Sequence, residues 1–179
     1  MNSEVIRKSI REMVHSRKSL MVSSGLVGPV DTAPPSYRWN QRLSFGHGGQ
    51  ARLFFQKGWS FDEPGFVWTD GPSASLTLGI ENPNADLCLQ LRCRAFLPEG
   101  KNTQLLKVRI NGAIALVWSV GGGEACFEGR IFRHLLSELC TLSVAFEVER
   151  PISPMELGMG GDERKLGIAI YELALVITT

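Results

Sequence analysis

The chain has 179 residues and nearly balanced charge, with 19 Lys and Arg against 18 Asp and Glu and a net charge of +1. That balance excludes a dedicated nucleic-acid surface, because phosphate binding requires a strongly basic face. At this length one core buries about two-thirds of the unfolded chain's surface, and nineteen glycines with 44% hydrophobic residues indicate a turn-rich, β-rich globular domain.

The basic excess is local: residues 1–40 carry Arg7, Lys8, Arg11, Arg17, Lys18 and Arg38 against Glu4, Glu12 and Asp31. Four cysteines, Cys88, Cys93, Cys126 and Cys140, lack the spacing of a zinc site and read as buried free thiols suited to a reducing compartment. There is no hydrophobic run of the ~18 residues needed to span a bilayer and no signal-peptide core behind the basic N-terminus. The cytoplasm is the expected location.

Residues 3–21 place Val5, Ile6, Ile10, Met13, Val14, Leu20 and Met21 near helical spacing behind Ser3 as an N-cap, which predicts an amphipathic helix. Such a helix either lies on its own domain or serves self-association, partner docking or a membrane surface. Residues 22–42 mix Gly, Pro and Ser without a period, so 1–42 reads as a helix and linker arm, anchored by Tyr37 and Trp39 onto a domain spanning 43–179.

From residue 43 onward short apolar runs alternate with turn signals. Strands are expected at Leu43–Phe45, Ala51–Gln56, Ala74–Ile80 and Leu87–Phe96, the last alternating over its whole length. Gln104–Ile110 and Ala113–Val120 flank Asn111-Gly112, a pair that supplies the positive φ values of a type I′ hairpin. Ala125–Ile131 and Thr141–Val148 add two more strands, Phe132–Leu139 reads as a short helix or pinned loop, and Arg150–Asp162 as a long loop. The segment 164–177 is apolar at nearly every position, as in a central strand covered on both faces. Between the second and third strands Gly58–Gly71 forms a turn-rich stretch that holds Trp59, Trp68, Asp62, Glu63 and Asp70. About ten strands with the helix confined to the N-terminus predict an all-β, antiparallel β-sandwich.

The ordered series Gly58-Trp59, Glu63, Phe66-Val67-Trp68, Gly71, Ala74-Ser75-Leu76, Val108-x-Ile110-Asn111-Gly112, Ser153-Pro154-x-Glu156-Leu157-Gly158 and Arg164-Lys165-Leu166-Gly167-Ile168 resembles a family of small jelly-roll domains. These are attached to bacterial glycosyltransferases and other enzymes of surface-polysaccharide assembly, and look like carbohydrate-binding modules. The resemblance covers about residues 45–177 and implies a non-catalytic module of glycan synthesis or recognition, with a glycan or a glycosyltransferase as partner. A helical arm on such a domain departs from the family's usual arrangement.

Sugar sites set an aromatic face against a pyranose and use carboxylates, amides and Arg for the hydroxyls. Trp59, Trp68, Asp62, Glu63 and Asp70 offer that chemistry. The competing reading makes the two tryptophans core plugs and Glu63 a structural partner of Arg164 or Lys165. The three carboxylates are also a possible calcium set, although no cofactor is called for. His47, between glycines, reads as a solvated turn. Glycoside chemistry needs two carboxyls ~5–9.5 Å apart, and adjacent Asp62 and Glu63 are expected to diverge, so no enzyme is expected. The alternative to a glycan-binding module is a structural, oligomeric protein that assembles through 3–21 and docks on a partner enzyme.

Overall fold

The computed structural model describes residues 33–136 and 140–178. The helix expected over 3–21 lies outside the described residues, as does most of the linker. Ten strands follow in order: β1 (Arg42–Ser44), β2 (Trp59–Glu63), β3 (Phe66–Asp70), β4 (Ser73–Gly79), β5 (Leu87–Ala95), β6 (Thr103–Ile110), β7 (Ala113–Gly121), β8 (Ala125–Ile131), β9 (Thr141–Val148) and β10 (Leu166–Ile177). They form two antiparallel sheets. One runs β2-β3-β10-β5-β8 with β1 also on β10, and the other runs β4-β9-β6-β7.

Strict alternation builds the core. Leu76 and Leu78 of β4, Leu142, Val144 and Phe146 of β9, and Leu106, Val108 and Ile110 of β6 are fully buried and face Leu87, Leu89 and Cys93 of β5. Each such aliphatic side chain contributes about 1.5–3 kcal/mol on leaving water. The Asn111-Gly112 turn forms with φ values of 49° and 86°, and the Asn111 side chain ties it to Leu135 O and Ser143 N.

The twelve-residue β10 is the central strand. Its one edge pairs with β5 along most of its length, while its other edge is shared by β3 and β1 in succession. A register slip between Ile170 and Glu172 moves the core positions from Ile168 and Ile170 to Leu173 and Leu175. The continuous apolar run is therefore two alternating halves joined by a bulge. On the outer face Leu166 and Ala169 are covered by Trp68, Phe66, Phe96 and Tyr171, side chains of the same sheet.

Several expectations are corrected. Ala51–Gln56 is no strand: Gln50–Phe54 is a 3-10 turn, whose buried Ala51 and Phe54 are three residues apart, the 3-10 period. By contrast, within 132–139, where a short helix or pinned loop is expected, the described residues do form a short 3-10 helix at Arg133–Leu135. The Gly58–Gly71 stretch is a β-hairpin rather than a run of turns. Its alternation is hidden by a register slip between Trp59 and Asp62, and by Val67, Trp68 and Thr69 being buried in succession. Gly58 leads into it at φ +78°, pressed so close to β4 that a Cβ would lie 1.9 Å from Ser73 O. Among the cysteines Cys93 is buried, its thiol pushed up to about 12 by desolvation, but Cys126 and Cys140 are exposed. Cys126 sits on edge strand β8, where four of the seven positions are exposed.

Tyr37 and Trp39 do anchor the approach to β1. The Tyr37 hydroxyl donates to Gln41 O at 2.7 Å and accepts from Leu175 N at 2.9 Å, and the Trp39 indole N–H donates to Glu81 O at 3.0 Å.

Phe146 is fully buried and meets the Trp59 ring edge-on at 5.9 Å, so it joins β9 to the hairpin. Phe146→Ala is expected to lower unfolding free energy by about 3–5 kcal/mol, measured by urea denaturation; a loss below about 1 kcal/mol contradicts this packing.

Candidate functional site

Sequence positions a hundred residues apart meet at the corner formed by the β2–β3 hairpin and the segment entering β10. Arg164 Nη1 donates to Ser60 Oγ at 2.7 Å and to Glu63 Oε1 at 3.2 Å, while its Nε donates to both Asp162 oxygens at 3.0 Å. The guanidinium so fixed lies 4.0 Å from the Phe61 ring centroid. Phe61 itself is 60% exposed, the bulkiest side chain of β2 to face water. Behind it, Arg52 Nε donates to Asp62 Oδ1 and Oδ2 at 3.0 and 2.9 Å, and its Nη2 reaches Ser60 O at 3.3 Å. Asp70 accepts from Lys165 N at 2.8 Å, which fastens the other end of the hairpin.

The loop before β10 is held by charge. Glu156 accepts from Lys165 Nζ at 2.6 Å, from Ser153 N at 2.9 Å and from Ser153 Oγ at 3.0 Å. Those contacts, Lys165 first and then the Ser153 bonds, bring its carboxyl from an ordinary 4.5 down to about 2. Asp162 is likewise lowered, chiefly by its hydrogen bond from Arg164. Hydrogen bonds to the charged form act in this direction.

The five residues singled out from the sequence do not share one rim. Trp59 points to the core side of the hairpin, stacks on Phe55 at 4.4 Å, and donates its indole N–H to Ser75 O at 2.7 Å. Trp68 is 5% exposed on the opposite face, under the Arg94 guanidinium at 4.9 Å. Asp62 and Glu63 are neighbours at the corner but serve different arginines, and Asp70 lies toward the far end of β3. Of the partners weighed for Glu63, the structure selects Arg164. Calcium does not fit this set: the three carboxylates are turned to separate cations and a backbone N–H, and among the described residues no three His, Cys, Asp or Glu converge. His47 is exposed, its backbone N–H bound to Glu63 O at 3.1 Å.

Sequence reasoning missed Phe61, Ser60, Arg52 and Asp162. The signal was faint: unbroken alternation from Trp59 would turn Phe61 to the core side, the β2 bulge that turns it outward is not visible in the sequence, and two larger indoles stand beside it. An Asp two residues before Arg164 was the visible hint of a local fork.

No family model matches the sequence, and no curated protein matches it. Solved structures do. The CBM22-1 xylan-binding domain of Paenibacillus barcinonensis Xyn10C aligns with TM-score 0.50 and 14% identity, covering 82% of this chain and all (100%) of that domain. A family 35 carbohydrate-binding module from an environmental isolate aligns at TM-score 0.45 and 12% identity over 76% of this chain and 92% of its own. A CBM36 module in complex with calcium and xylotriose aligns at TM-score 0.44 and 10% identity, over 75% and 98%. At these identities the likeness to the CBM22-1 domain is one of β-sandwich fold.

Arg164→Ala removes the donor that Ser60, Glu63 and Asp162 share and is expected to cost about 1.5–3 kcal/mol, with Arg164→Lys recovering only part because an ammonium lacks the planar fork. Full recovery by Lys in thermal unfolding contradicts the fork. A second expectation concerns acid. Because Glu156's carboxyl is depressed in the folded chain, its stabilisation is complete above pH 4.5 and is lost as pH falls toward about 2. Glu156→Gln should flatten the stability profile inside that window and leave its shape above it unchanged; an unaltered acid limb contradicts the assignment.

Proposed function

We propose that this chain is a non-catalytic glycan-binding module, and that its ligand surface is the corner around Phe61. The observation that carries the reading is the exposed Phe61 ring held by Arg164. Arg164 is itself fixed by Ser60, Glu63 and Asp162, so the ring is presented with little freedom left to lose, and preorganisation of this kind lowers the entropic cost of binding. A sugar stacks its apolar face on such a ring and meets polar atoms at its rim. Glu63, on the same face of the hairpin as Phe61, provides them, while Asp62 on the other face gives both oxygens to Arg52. Glu63 commits Oε1 to Arg164, and a carboxylate has further lone pairs for a sugar hydroxyl. Asp70, Trp59 and Trp68 hold the hairpin on which the ring stands.

The absence of catalysis in this reading rests on the carboxylates. Asp62 and Glu63 are each turned to an arginine, so neither faces the other across a substrate. The sandwich fold shared with a xylan-binding domain supports a glycan ligand. The ordered motif series supports a place beside bacterial glycosyltransferases of polysaccharide assembly, as an accessory that holds acceptor or product. The alternative, a structural or oligomeric protein, draws on the packing of Trp59 and Trp68.

A glycan array followed by titration calorimetry tests this. Phe61→Ala is expected to weaken binding about ten-fold, the scale of one lost stacking contact with its buried area, with thermal unfolding little changed. Undiminished affinity in a folded Phe61→Ala variant overturns the site. Failure of every glycan on the array favours the structural alternative.

A further inference from the structure

Two grooves on the four-stranded sheet, of about 270 and 340 Å³, share Leu105 and Glu149 and so run together over the ends of β6 and β9. We infer that this channel is a second saccharide site, selective for an anionic sugar. The inference rests on the glycan-binding reading above and adds a ligand class and a place.

The charge balance of the channel decides the class. Its walls carry Lys101, Lys107 and Arg150 against Glu147, Glu149 and Glu156. Two of the three carboxylates are already neutralised from outside, Glu147 by Arg109 at 2.6 Å and Glu156 by Lys165 at 2.6 Å. The three cations, by contrast, have no ion pair among the described residues. Three free cations therefore face one free carboxylate, Glu149, and the vacant partner is an anion. Long cationic side chains around an open groove gain most from a ligand whose charge they share, because exposed pairs taken singly are weak.

The remaining lining fits a sugar rather than a bare ion. Leu105, Pro98, Pro151 and Ile152 give an apolar floor, while Ser73 and Thr103 bring hydroxyls. The frame is also rigid. Gln104 is 7% exposed, and with its amide oriented to satisfy both ends, its oxygen accepts from Glu149 N at 3.2 Å and from Arg150 N at 2.8 Å. That clamp fixes the backbone from which Glu149 and Arg150 project into the channel. A mixed apolar floor, a few fixed polar groups and an excess of one sign of charge describe a recognition groove for a carboxylated or phosphorylated saccharide.

The test is calorimetry on the full chain with a galacturonate trimer, the matched neutral galactose trimer, galactose 6-phosphate and inorganic phosphate alone, repeated with Lys107→Gln and Arg150→Gln. The acidic sugars should bind at least about ten-fold tighter than the neutral trimer, with each variant weakening them several-fold and raised salt weakening them further, as screening of exposed charges requires. The stronger of the two acidic sugars identifies the anion as carboxylate or phosphate. Equal affinity for acidic and neutral trimers, unchanged in both variants, overturns the inference and leaves the Phe61 reading standing. Phosphate alone binding as tightly as the sugars reduces the channel to an adventitious anion site and overturns it too. No binding of either acidic sugar overturns the inference, while the Phe61 reading is decided separately by the glycan array.

Discussion

The Arg164 guanidinium is the constraint on which the corner of this sandwich depends. Among the described residues β2 is an edge strand that pairs only with β3, so its outer edge has no strand partner. Arg164 supplies the missing tie from the segment entering β10, and Asp162 holds the guanidinium in plane so that Ser60 and Glu63 are reached together. The same plane lies on Phe61. One side chain thus closes the sheet edge and sets the aromatic ring, and the Glu63 and Arg164 motifs acquire a structural reason before any ligand is considered.

A division of labour follows from where each polar group points. Trp59, Trp68, Asp70 and Lys165 join strands, one indole on each face of the hairpin. Phe61 is what the hairpin leaves most open to solvent, with Glu63 beside it. The second sheet ends in a channel whose cations lack ion-pair partners among the described residues, whereas Arg92 of the first sheet is paired with Glu172 and Glu124. At the corner paired charges fix the exposed ring, and in the channel unpaired cations are available to a ligand. These two features, rather than any catalytic signature, mark the candidate binding surfaces here.

Much of the fold was legible because most strands have one dry and one wet face. Leu87–Ala95 alternates without a break from end to end, and Asn111-Gly112 marks its hairpin through backbone geometry alone. Legibility failed where a second influence overrode the period. Ala51 and Phe54 are buried at 3-10 spacing, Val67 to Thr69 are dry on both faces, and bulges in β2 and β10 shift the count by one. The candidate site suffered most from this. Its stretch and its acidic residues were visible, but with the register hidden the larger indoles were chosen over Phe61, and the pairing of Arg164 with Asp162 and Ser60 is a tertiary fact that spacing does not encode. The channel at Leu105 and Glu149 was invisible for a similar reason, since its walls come from four separate segments.

The central claim is that the ring left outside the packed network, and not the indoles inside it, meets the ligand. Nuclear magnetic resonance of the chain with labelled aromatic side chains, titrated with whichever glycan the array selects, addresses it most directly. The account predicts saturable upfield shifts of the Phe61 ring protons under the stacked sugar, with the Trp59 indole N–H resonance, bonded to Ser75 O, unmoved. A saturable shift of the Trp59 indole with Phe61 unaffected would contradict it.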